Sequence, residues 1–81
     1  MSKILNAAVM GFIKIVESYP DEYILVKTIE INHNNGNAVG IAIYTASSRE
    51  ELTAYAKKEG IISETVILQG ENLAPIVGGL I

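Results

Sequence analysis

Residues 23–45, YILVKTIEINHNNGNAVGIAIYT, decide the fold. Two runs rich in Ile, Val, Thr and Tyr flank a cluster of Asn and Gly, the pattern of two strands joined by a turn. The first run, Tyr23 to Asn32, is apolar on both faces over Tyr23-Ile24-Leu25-Val26. The second spans Ala38 to Thr45. A two-residue Asn35-Gly36 turn would set Ile31 against Gly40 and Ile29 against Ala42, placing the apolar sets of the two strands on opposite sides of the sheet. A three-residue loop, Asn34-Asn35-Gly36, instead pairs Ile31 with Val39 and Ile29 with Ile41, and this is the predicted register. The other face then carries Thr28, Glu30 and Asn32 against Ala38, Gly40 and Ala42.

On the C-terminal side, Ser48-Arg49-Glu50-Glu51 has the capping-box spacing, in which the Ser hydroxyl and the Glu carboxylate satisfy each other's unpaired amides. A helix follows, with Leu52, Tyr55 and Ala56 on one face, Lys57 and Lys58 near its negative end and Gly60 as a left-handed stop. Thr65 to Gln69, centred on Val66-Ile67-Leu68, is a third strand, placed either parallel to the second or antiparallel to the first. On the N-terminal side, Ser2 can cap a helix from Ile4 to about Ser18. The helical period gathers Ile4, Leu5, Ala8, Val9, Phe12, Ile13, Ile15, Val16 and Tyr19 on one broad side. Pro20 ends it, because the residue before a proline is pushed out of helical geometry. The predicted fold is therefore α+β: a two-layer domain over residues 1–81 with a three-stranded mixed or antiparallel sheet and two helices, in the order α-β-β-α-β, followed by an apolar C-terminal segment.

That last segment, Gly70 to Ile81, is too apolar for a solvated tail, so Leu73, Ile76, Val77, Leu80 and Ile81 are expected to dock in cis or in trans. With Tyr44, whose ring joins apolar area to a polar tip, they form the candidate protein interface. The composition agrees. At 49% hydrophobic and 19% charged over 81 residues, the chain carries more apolar material than one small core absorbs.

Chemistry is sparse. Cys is absent, which removes thiolate nucleophiles, disulfides and Cys-based zinc sites, and His33 stands alone beside the hairpin loop. Ser47 and Ser48 read as caps and no Gly-x-Ser-x-Gly elbow exists. Asp21 with Glu22 occupies a turn, and Glu50 with Glu51 occupies a first helical turn where negative charge is favoured. Gly78-Gly79 is followed by no Lys-Ser/Thr, so no phosphate loop forms. No catalytic residue, metal ligand or cofactor is assigned. A net charge of −3, with the single Arg and five Lys spread along the chain, argues against nucleic acid. Apolar runs far short of a membrane span argue against a membrane partner and for a cytoplasmic protein. The expected function is a non-enzymatic interaction module, acting as a homodimer or on another protein as adaptor or inhibitor. The alternative is a small-ligand or regulatory domain with a pocket near Gly40 and the hairpin.

Overall fold

The computed structural model describes residues 1–5, 8–31 and 38–73. In chain order the elements are β1 (Ser2–Lys3), β2 (Val9–Gly11), α1 (Phe12–Ser18), β3 (Tyr23–Ile31), β4 (Ala38–Ala46), α2 (Arg49–Glu59), a 3₁₀ turn (Ile62–Glu64) and β5 (Thr65–Gln69). The class is α+β, as expected, but among the described residues the sheet has five strands rather than three. All pairings are antiparallel, in the order β1-β4-β3-β5, and β2 adds to β4 further along the edge that β1 uses. Of the two places open to the last strand, β5 takes the one antiparallel to β3, with Leu25 opposite Ile67.

β3 is the hub. Successive side chains of a strand point to opposite faces, so Ile24 and Val26 point one way and Leu25 the other, and all three are fully buried. Ile24 and Val26 pack with Ile15 of α1 and Ala42 of β4. Leu25 packs with Leu52 and Ala56 of α2 and Ala46 of β4. The helices thus cover opposite faces, and the molecule has three layers, not the two predicted. A strand apolar on both faces has to be covered on both.

The N-terminal third departs most from the sequence reading. Helix is confined to Phe12–Ser18; Val9, Met10 and Gly11 pair with Ile41, Gly40 and Val39, and Ser2 lies opposite Thr45 in β1 rather than capping a helix. Gly11, at the helix start, is extended, with φ −64° and ψ 148°. The reason is tertiary: β4 has a long second edge whose amides and carbonyls need partners, and pairing them outweighs helix propensity, which is worth on the order of a few tenths of a kcal/mol per residue. Pro20 does end α1 as expected: Tyr19 has left helical geometry, and its amide still bonds to the Ile15 carbonyl at 3.2 Å.

The hairpin register also differs. Ile31 faces Ala38 and Glu30 faces Val39, not Ile31 with Val39, and Ile41 faces Lys27, not Ile29. Two irregularities cause this: Ile29 is extra on β3 between Thr28 and Glu30, and Ile43 is extra on β4 between Ala42 and Tyr44. The second lets Ile43 and Tyr44 both pack in the cluster under α2. The predicted Asn34-Asn35-Gly36 loop and Asn32 lie outside the described residues. Gly40 does not open to water: Phe12 lies above it, and a Cβ there would stand 3.1 Å from Cε1 of that ring and 2.5 Å from the Lys27 carbonyl oxygen.

α2 forms as read. Of the capping box the serine half forms, with the Glu51 amide donating to Ser48 Oγ at 3.3 Å, while the Glu51 carboxylate lies 3.7 Å from the Met1 amino group; Gly60 is left-handed at φ 70°. The Ile61 amide reaches the Ala56 carbonyl at 2.9 Å and the Gly60 amide the Lys57 carbonyl at 3.2 Å, the paired bonds of a Schellman stop. After β5, the chain turns back on the end of α1. The Gly70 amide donates to the Glu22 carbonyl (2.9 Å), Glu71 to Val16 (3.2 Å) and Asn72 to Pro20 (2.7 Å). The Asn72 side-chain amide adds a bond to Asp21 Oδ1 at 3.2 Å. No side chain fits at position 70, where the carbonyl oxygens of Tyr19, Glu22 and Pro20 crowd the space a Cβ would take.

Two substitutions test this packing by chemical denaturation. Leu52→Ala, beneath α2, is expected to lower stability by about 3 kcal/mol through lost transfer energy and the cavity left behind. Gly70→Ala is expected to cost about 2 kcal/mol, because three backbone carbonyls must move apart. A neutral result at Gly70 would mean that the turn is not clamped to α1.

Candidate protein interface

Of the predicted interface residues, Tyr44 and Leu73 lie among the described ones. Tyr44, half-buried on β4, is directed at its own α2: its ring lies 4.4 Å from the Tyr55 ring, centroid to centroid, with the planes tilted by 52°. Tyr55 is pushed up to about 12, first by the hydrogen bond it shares with Tyr44, then by partial loss of water and by repulsion from the Tyr44 and Glu59 charges. The ring contact joins strand to helix within this subunit. Leu73 is half-buried in the turn after β5. Its amide donates to the Gly70 carbonyl at 3.1 Å, and its carbonyl accepts from Gln69 Nε2 at 2.9 Å. Ile76, Val77, Leu80 and Ile81 lie outside the described residues, as does His33.

The carboxylates have structural surroundings. Asp21 accepts from Asn72, while Glu50 and Glu51 sit in the first turn of α2. Among the described residues, no three His, Asp or Glu side chains come together as a metal-binding group. No helix among them is long and apolar enough to cross a membrane.

What the structure adds is exposed apolar surface that the sequence reading had placed in a core or left unassigned. Ile29 and Ile31 lie on the half of β3 that runs past the end of β5; Val9 lies on β2, Ile13 on α1 and Leu5 before β2. Ile31 and Val66 line one open concavity of 560 Å³, with Lys27, Thr28, Ser63, Glu64 and Thr65 as its polar parts. This notch lies where β5 stops and β3 continues. Its apolar signal was present in the sequence, but Ile29 and Ile31 were read as facing Ile41 and Val39 within a regular ladder. The bulge at Ile29 changes that.

A second concavity, of 220 Å³, lies between α2 and β5, with Leu25, Ala56 and Ile67 at its apolar base and Arg49 and Thr53 among its polar walls. Of the place expected for a ligand pocket, near Gly40 and the hairpin, Gly40 is packed against Phe12, and the hairpin loop lies outside the described residues. No family model matches this chain, and no curated protein and no solved structure matches it.

Alkaline spectrophotometric titration checks the tyrosine pair. Tyr55 is expected to ionise near pH 12, and Tyr44→Phe to bring it back toward the ordinary 10.0. Because the raised value favours the protonated folded form, its stabilisation is present at neutral pH and is lost as pH rises from 10 through about 12.

Proposed function

We propose that this chain is a non-enzymatic interaction module that acts through exposed apolar surface, as a homo-oligomer or as an adaptor or inhibitor of a larger protein. The observation that carries the reading is the notch beside β5. Ile29 and Ile31, 49% and 52% exposed, stand on a stretch of β3 that has no β5 residue opposite it, and Ile31 shares a concavity with Val66. Apolar side chains grouped on one surface mark interaction sites more often than singly scattered ones do. The rim of Lys27, Ser63 and Glu64 gives the patch the polar border that interfaces carry.

The small-ligand alternative rests on the concavity between α2 and β5. That concavity, of 220 Å³, is below the roughly 300–1,000 Å³ usual for small-molecule sites, whereas the one beside β5, of 560 Å³, falls within that range.

Native mass spectrometry of gently purified protein is the test. The expected result is a species heavier than the 8.7 kDa chain, either a multiple of it or a complex with one other protein. A bare 8.7 kDa chain at every concentration, with no partner retained, would overturn the reading.

A further inference from the structure

Resting on the interaction-module reading, we infer that β5 is a self-pairing edge, through which two copies of the chain join their sheets across a two-fold axis. Among the described residues, no strand pairs with Val66, Ile67 or Leu68 on the side away from β3. Edge strands that must stay single are ordinarily guarded by charge, proline, bulges or shortness. The other exposed stretches here have such guards. The edge of β4 is filled by two short strands, β1 and β2, with Lys3 on the first. The free half of β3 is bulged at Ile29 and flanked by Lys27 and Glu30. β5 has none. Thr65, Val66, Ile67, Leu68 and Gln69 include no charge and no proline, and they pair with β3 in unbroken register from Lys27 to Tyr23.

The occupant follows from the strand itself. Antiparallel pairing of β5 with its own counterpart about Ile67 sets Ile67 against Ile67 and Val66 against Leu68, with Thr65 and Gln69 bracketing the contact. Apolar meets apolar, polar meets polar, and Glu64 falls opposite Gly70, so no charge opposes a like charge. A two-fold interface requires that kind of self-complementarity, and β5 reads the same in polarity from either end. The pairing would also cover Val66, 38% exposed, and bring the exposed Ile62 beside the seam. Cross-strand apolar pairs of this kind are the unit by which sheets gain stability.

Sedimentation velocity over a concentration series, combined with disulfide trapping, tests the arrangement. The chain contains no cysteine, so one introduced thiol reports one contact. The expected results are a dimer, a dissociation constant raised about tenfold or more by Val66→Lys, and little change with Val9→Lys, on β2 at the far edge of the sheet. Ile67→Cys should cross-link to itself under mild oxidation, whereas Val9→Cys should not. Val66 is partly exposed, so its substitution leaves the fold intact; circular dichroism checks this for each variant. A wild-type chain that stays monomeric throughout overturns self-pairing. A dimer indifferent to Val66→Lys, or one in which Ile67→Cys fails to cross-link, also overturns it. That second outcome leaves the broader interaction reading standing with its surface elsewhere.

Discussion

The burial of β3 from both sides is the constraint on which the rest of the structure depends. Ile24, Leu25 and Val26 are consecutive and fully buried, which is possible only if each face of the sheet carries its own cover. At about 1.5–3 kcal/mol for each large side chain removed from water, these three residues alone account for several kcal/mol of driving force. That force recruits α1 to one face and α2 to the other. Flanking β3 with β4 and β5 then satisfies the backbone of the buried segment on both edges.

The two helices reach their places by different means. α2 runs 11 residues between a serine cap and a glycine stop, so its ends are fixed by local chemistry before any packing occurs. α1 has 7 residues and no side-chain cap at its start. A helix that short is not stable alone. It is held by Ile15 beneath it, by Phe12 over the bare backbone of Gly40, and by the turn after β5, whose amides bond to the carbonyls of Val16, Pro20 and Glu22. The chain beyond β5 therefore closes the fold at the joint between α1 and β3. The requirement for glycine at position 70 comes from that close backbone approach.

The same architecture explains why apolar side chains remain outside. The buried segment of β3 is short, and its far half continues past β5, where the bulge at Ile29 interrupts the regular alternation. Ile29 and Ile31 are of the right type for a core and lie where no layer among the described residues covers them. Tyr44 shows the reverse. Its ring, which the sequence reading assigned to an interface, contacts the Tyr55 ring of its own helix.

Local signals were enough for those elements whose ends are marked by local chemistry. Ser48 and Gly60 bound α2, Pro20 ends α1, and the β-branched runs mark β3, β4 and β5. Residues 4–18 misled, because an apolar-rich stretch matches a helical period even where its residues pair as strand. The free edge of β4, invisible in the local sequence, turned Val9–Gly11 into β2 and left only Phe12–Ser18 helical. The bulges at Ile29 and Ile43 were equally hidden, since the packing beneath α2 draws in Ile43 and Tyr44 together while a ladder drawn from sequence is always regular. Composition and capping belong to the chain and could be read from it. Edges, layers and register depend on which distant backbone groups need a partner, and only the tertiary structure decided those.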